Sequence, residues 1–98
     1  MQLLKDIKYH DVMLKFLRAL FPTAKIYLFG SRARGTHRPS SDIDIAVDAG
    51  HELSHYDIAR AKGALEALYV VQKIDVVDFH SVPPKMQEEI LEDGILWN

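Results

Sequence analysis

Residues 26–47 read IYLFGSRARGTHRPSSDIDIAV, and the pattern of this stretch decides the fold. Ile26-Tyr27-Leu28-Phe29 is a short apolar run, rich in aromatic and β-prone residues, with the length of a buried strand. Gly30-Ser31 breaks the run, and a basic segment follows with Arg32, Arg34 and Arg38. A second apolar run then begins with two carboxylates set into it, Asp42-Ile43-Asp44-Ile45-Ala46-Val47. Side chains alternate along a strand, so Asp42 and Asp44 point one way while Ile43, Ile45 and Val47 point the other.

Two residues along a strand span roughly 6.5 Å, so the two carboxylates can lean together over one or two divalent cations. Without a cation they repel beside an apolar sheet, and one is driven toward protonation. Mg²⁺ suits them, because it prefers hard oxygen ligands and commonly adds substrate phosphate oxygens to its shell. Gly30-Ser31 supplies a phosphate end, since glycine permits close backbone approach and amides at a strand-to-helix turn cradle anions. A D-x-D pair alone also fits the polar edge of a half-buried strand. Gly-Ser ten residues upstream, with three arginines between, favours the cation site. The spacing Gly30-x4-Gly35-Thr36 lacks the lysine of a P-loop, which excludes that reading.

The Gly-Ser, ten-residue, D-x-D arrangement resembles the signature of the polymerase-beta-like nucleotidyltransferase superfamily, and more narrowly its minimal nucleotidyltransferases. The filler SRARG and SDID is similar too, and the resemblance spans nearly the whole chain.

The rest of the chain frames this stretch. Leu3, Ile7, Leu14, Leu17 and Phe21 recur at helical spacing, with His10 in the same stripe as a packing residue, until Pro22 stops the helix. Ser54-x-x-Asp57 starts a second helix that turns Ile58, Ala61, Leu65 and Leu68 inward. His51 and His55 flank the predicted cap and do not share a helical face. Lys73–Phe79 reads as a third strand, in which Asp75 and Asp78 have opposite parity, so at most one faces the cleft. Pro83-Pro84 open a last helix with Met86, Ile90 and Leu91 inward and Gly94 as its stop. Ile95-Leu96-Trp97 either adds a short edge strand or packs on the core.

Ninety-eight residues make one small domain, residues 1–98, which buries between about 60% and 70% of its surface on folding. Four predicted helices alternating with three strands give an α/β (α+β) fold, a small mixed sheet backed by helices. A net charge of −2 exerts no general attraction for nucleic acid or membrane, so neither is an expected partner. The absence of cysteine excludes disulfides and thiolate metal sites and agrees with a cytoplasmic protein. No apolar run approaches the length of a membrane span, and there is no secretory leader pattern.

The resemblance implies a polymerase-beta palm core stripped to its minimum. It implies nucleotidyl transfer from a nucleoside triphosphate, most simply ATP, to a hydroxyl, with two Mg²⁺ ions held by Asp42, Asp44 and Asp75. Asp75 matches the family's third carboxylate, leaving Asp78 as a strand-end residue. Gly30 and Ser31 would bind the β- and γ-phosphates, with Arg32 or Arg34 on the triphosphate. In the minimal family the partner is often an all-helical HEPN-type toxin, and the nucleotidyltransferase is an antitoxin that adenylylates one of its tyrosines. Two other readings stand beside this one. The first is an antitoxin that neutralises its partner by contact, against which three intact aspartates argue. The second is a small-molecule transferase, whose kind carries an added helical domain for its acceptor.

Overall fold

The computed structural model describes residues 10–68 and 73–97. Helix α1, His10–Leu20, buries Met13 and Leu17 one turn apart and tucks Leu14 and Leu20 partly beneath it. Met13, which the expected stripe left out, sits at its centre, and Leu14 lies at its margin. The i, i+4 pair of Met13 and Leu17 sets the buried line. Phe21 N still donates to Leu17 O at 2.8 Å, and Pro22 then ends the helix because it has no N–H to offer. The expected contributions of Leu3 and Ile7 lie outside the described residues.

Strand β1 covers Lys25–Phe29, and a single turn of helix, α2, covers Ser31–Arg34. Strand β2, Ile43–Asp48, leads through helix α3, His55–Glu66, to strand β3, Ile74–Asp78. Helix α4, Pro84–Asp93, and a two-residue strand β4, Ile95–Leu96, follow. The sheet order is β3-β2-β1-β4. β1 runs antiparallel to both β2 and β4, and β2 runs parallel to β3. A parallel pair needs a crossover, which α3 provides. Ser54 caps α3 as the sequence predicts, its hydroxyl accepting from Asp57 N at 3.1 Å.

The alternation in the strands divides the apolar residues between two faces. On one face Ile26, Leu28, Ile43, Ile45, Val47, Ile74 and Val76 pack with Met13, Leu17, Ala61 and Leu65 in the main core. On the other, Ala46, Phe79 and Ile90 form a smaller cluster edged by Tyr27, Phe29, Val77 and Met86. Helix α4 therefore covers part of the second face and leaves the rest of it open for chemistry.

Gly94 stops α4, but with extended backbone (φ −68°, ψ 146°) rather than the left-handed turn usual for a glycine stop. Its reason is space: a Cβ there would collide with the Ile90 carbonyl and lie 3.5 Å from Leu28 O. Both readings of the C-terminal run hold together. Ile95 and Leu96 pair with β1, and Trp97 is buried with its backbone N–H donating to Ile26 O at 2.7 Å. His10 packs edge-on against Trp97 at 4.9 Å, as a core residue should. Among the described residues, no helix is long and apolar enough to cross a membrane.

Candidate active site

Register alone brings the site together. Phe29 pairs with Asp44 across the antiparallel β1/β2 ladder, and Asp44 pairs with Asp75 across the parallel β2/β3 ladder. The end of β1, the start of β2 and the start of β3 thus lie side by side. Asp44 and Asp75 are half-buried, whereas Asp42, one residue before β2, is exposed. Asp44, Asp75, Ala46 and Val77 share the second face, because Ile43, Ile45, Ile74 and Val76 fill the first.

Burial pushes the Asp44 carboxyl above the usual carboxylate range, and the charges of Asp75 and then Asp42 push it further. Arg34 and Lys73 pull it only part of the way back. Among the described residues, no three His, Cys, Asp or Glu side chains converge closely enough to enclose an ion by themselves. Mg²⁺ does not require that, since it commonly takes one or two carboxylates and completes its shell with phosphate oxygens and water. A hard-oxygen donor set, with a central carboxylate strained by two like charges, fits such a cation.

Gly30 joins the carboxylates to the turn that follows β1. Its backbone is left-handed (φ 75°, ψ −155°), a conformation that favours glycine. A Cβ on Gly30 would also run into Asp44 Oδ2 and lie 3.2 Å from Asp44 Cγ. The glycine is therefore fixed twice, by its own backbone and by contact with a carboxylate. Ser31 begins α2, whose turn closes through Arg34 N to Gly30 O at 3.1 Å and Thr36 N to Ser31 O at 3.0 Å. Among the described residues, no side chain or backbone group bonds the Ser31 hydroxyl. It stands free beside the turn.

The three arginines that look equivalent in the sequence are not equivalent in the fold. Arg32 is only 4% exposed. Its Nη2 donates to Ser41 O at 3.1 Å and to Pro39 O at 3.3 Å, and its Nε reaches Ser41 O at 3.4 Å. Although expected near the triphosphate, Arg32 braces the 35–42 loop and fixes the chain just ahead of Asp42. Arg34 is exposed and bears on the charge of Asp44, which leaves it as the arginine positioned for a ligand. Arg38 is exposed, and its backbone N–H donates to Ser41 Oγ at 2.8 Å.

Asp78 is 5% exposed and accepts from Leu53 N at 2.7 Å, His80 N at 3.1 Å and Ser81 Oγ at 2.6 Å. It stands at the end of β3, and Asp75 is the one paired with Asp44. Two features were missed. Lys73 acts on Asp44, and counting back two residues from Asp75 would have found it. Asp48 and His80 pair at 2.7 Å, which no local pattern announces because they are 32 residues apart.

Four similarities to known proteins bear on this arrangement. The family described as "Polymerase beta, Nucleotidyltransferase" matches residues 13–97. The protein adenylyltransferase MntA of Shewanella oneidensis is 36% identical over 84 residues, covering 84% of this chain and 59% of that one. A chain in a crystal structure of a toxin–antitoxin with AMP-PNP superposes with a TM-score of 0.77 at 30% identity, over 90% of this chain and 71% of its own. A chain in the complex of tri-AMPylated Shewanella oneidensis HEPN toxin with MNT antitoxin superposes with a TM-score of 0.71 at 27% identity, over 90% and 67%.

Proposed function

The chain belongs to the polymerase beta nucleotidyltransferase family, and on that premise we propose that it moves AMP from ATP to a tyrosine hydroxyl of an all-helical HEPN-type toxin, acting as its antitoxin. The observation that carries this reading is that a Cβ on Gly30 would run into Asp44 Oδ2, so the Gly30-Ser31 turn lies directly against the Asp44 carboxylate. The family works with a nucleoside triphosphate and a divalent metal.

In this chain Asp42, Asp44 and Asp75 are the groups that would hold Mg²⁺, with two ions as the full complement. Bound there, the metal would stabilise the charge on the attacking and leaving oxygens. The chain's own residues do the rest. The Ser31 hydroxyl and the amides opening α2 take the β- and γ-phosphates, and Arg34 adds a cation on the same side. Asp44 stands between that turn and Asp75, which is where the α-phosphate would lie once a cation offset the carboxylate charges. In the reaction the acceptor O–H bond breaks and an O–Pα bond forms. The Pα–O bond to the β-phosphate breaks, pyrophosphate leaves with the electron pair, and the proton passes to water.

The test is transfer of label from α-labelled ATP to a HEPN toxin in the presence of Mg²⁺. Label on a toxin tyrosine is expected, with transfer falling by at least about 100-fold in both Asp42→Asn and Asp44→Asn. Both swaps keep side-chain volume, so the strand should stay intact. If these variants silence the toxin in cells as well as the wild type does, neutralisation works by contact and transfer is not its means.

A further inference from the structure

Lys73 immediately precedes β3, and its carbonyl accepts from Ile43 N at 2.8 Å. The parallel register pairs Ile43 with Ile74 and Asp44 with Asp75, so one step back it sets Lys73 beside Asp42. Ile74 and Val76 are buried in the main core while Asp75 and Val77 are half-buried on the opposite side. Alternation therefore puts Lys73 on the face of Asp75. It is exposed, and among the described residues its ammonium has no carboxylate or carbonyl partner.

Two cations act on Asp44, and they come from opposite sides. Arg34 belongs to α2, which follows β1, whereas Lys73 leads into β3, and β2 separates those strands. A triphosphate seated on Gly30 and Ser31 with its α-phosphate over Asp44 occupies the β1 side. The direction left open to an incoming hydroxyl is the β3 side, where Lys73 stands. We propose that Lys73 contacts the acceptor, donating a hydrogen bond to the attacking hydroxyl oxygen and stabilising the negative charge that grows on it as the O–Pα bond forms. An ammonium is a compact point charge with three rotatable donors, suited to an oxygen whose position shifts during attack. A structural strut would be buried and bonded, as Arg32 is, and Lys73 is neither. The contact also places a cation where three carboxylates would otherwise repel an acceptor that is becoming anionic.

This inference rests on the transfer reading, and the experiment separates the two. Initial rates of AMP transfer to the co-expressed HEPN toxin are measured with wild type, Lys73→Met, Lys73→Arg and Arg34→Met. Affinity for a fluorescent ATP analogue is measured on the same proteins with Mg²⁺ and no toxin. For Lys73→Met, kcat should fall by roughly 100-fold while the nucleotide Kd stays within about twofold. Lys73→Arg should recover most of the rate, because it restores a charged donor. Arg34→Met should show the reverse pattern, a weakened nucleotide Kd as the main effect. A Lys73→Met protein that loses nucleotide affinity but keeps kcat would make Lys73 a triphosphate contact and overturn the assignment. So would one that matches wild type in both. Wild type that binds nucleotide yet labels no toxin would overturn the transfer reading and this inference with it.

Discussion

Strand β2 carries Asp44 near one end and Asp48 at the other, on one face, in opposite electrostatic circumstances. Asp44 has two carboxylates for neighbours, and burial together with their charge raises its pKa. Burial pushes on Asp48 in the same direction. There it is outweighed by the Gly50 N–H at 2.9 Å, by His80 at 2.7 Å and by the charges of His80 and Lys25, so its pKa is lowered. Asp78 lies across the ladder at that same end, pairing with Val47, and accepts three hydrogen bonds. A carboxylate that serves the fold is met by donors from the fold. Among the described residues, no donor bonds the carboxylates at the Asp44 end, and that deficit is what a cation and a triphosphate would supply.

The contrast can be broken at either end. The largest stability effect belongs at the satisfied end, where Asp78→Ala removes the buried acceptor shared by Leu53 N, His80 N and the Ser81 hydroxyl. A loss of about 2–4 kcal/mol is expected in urea unfolding, against well under about 1 kcal/mol for the more exposed Asp48→Ala. Equal losses would mean that Asp78 is not the keystone of that end.

At the unsatisfied end the sign reverses. Asp44→Asn removes one of three mutually repelling charges, so the ligand-free protein should melt at the wild-type temperature or above it. Mg²⁺ with ATP at about 100 times the Kd should raise the wild-type melting point by roughly 10 °C, from about 2.7 kcal/mol of linkage in a domain of this size. That rise should be largely absent in Asp44→Asn. A variant that melts lower without ligand yet keeps the full rise would remove the idea of a strained, waiting carboxylate.

The smallest effect is in the pH dependence, where the two residues act in opposite senses. Asp48 has a lowered folded pKa, so its contribution is present above the unfolded carboxylate pKa and is lost as pH falls through the folded value. Asp44 has a raised folded pKa, so its contribution is fully present below the unfolded pKa and is lost as pH rises through the folded one. Denaturation between pH 3 and pH 7 should therefore show a shallower acid-side loss in Asp48→Asn than in wild type. Asp44→Asn should instead flatten the loss that accompanies rising pH. Parallel curves for all three proteins would erase the distinction.

Much of this was legible because it is local. The alternation of Ile43, Ile45 and Val47 against Asp42 and Asp44 follows from pleating alone. Ser54 as a cap, and the opposite parity of Asp75 and Asp78, rest on spacing of the same kind, while the choice of Asp75 for the cleft came from the family resemblance. What escaped depends on partners distant in sequence. Nothing local distinguishes Arg32 from Arg34. The structure separates them because Arg32 turns back to Pro39 and Ser41 while Arg34 faces out. Gly94 looks like an ordinary left-handed stop until the Ile90 and Leu28 carbonyls close around it. The Asp48–His80 pair exists only once β2 and β3 lie side by side.

The crossover through α3 also has a bearing on time. The β1/β2 ladder joins neighbouring segments, but the partner that Asp44 requires arrives only with β3, after α3 has been made. Contacts of such separation form late, because closing the intervening loop precedes any reward from the pairing. A chain still on the ribosome, with β1, α2 and β2 already emerged, would have its phosphate turn and two of its carboxylates while the third was unmade. The turn and the first pair would be waiting on the last strand. On the proposed assignment of the three aspartates, such a centre would not act on the nucleotide around it during synthesis, and its activity would begin when β3 docks.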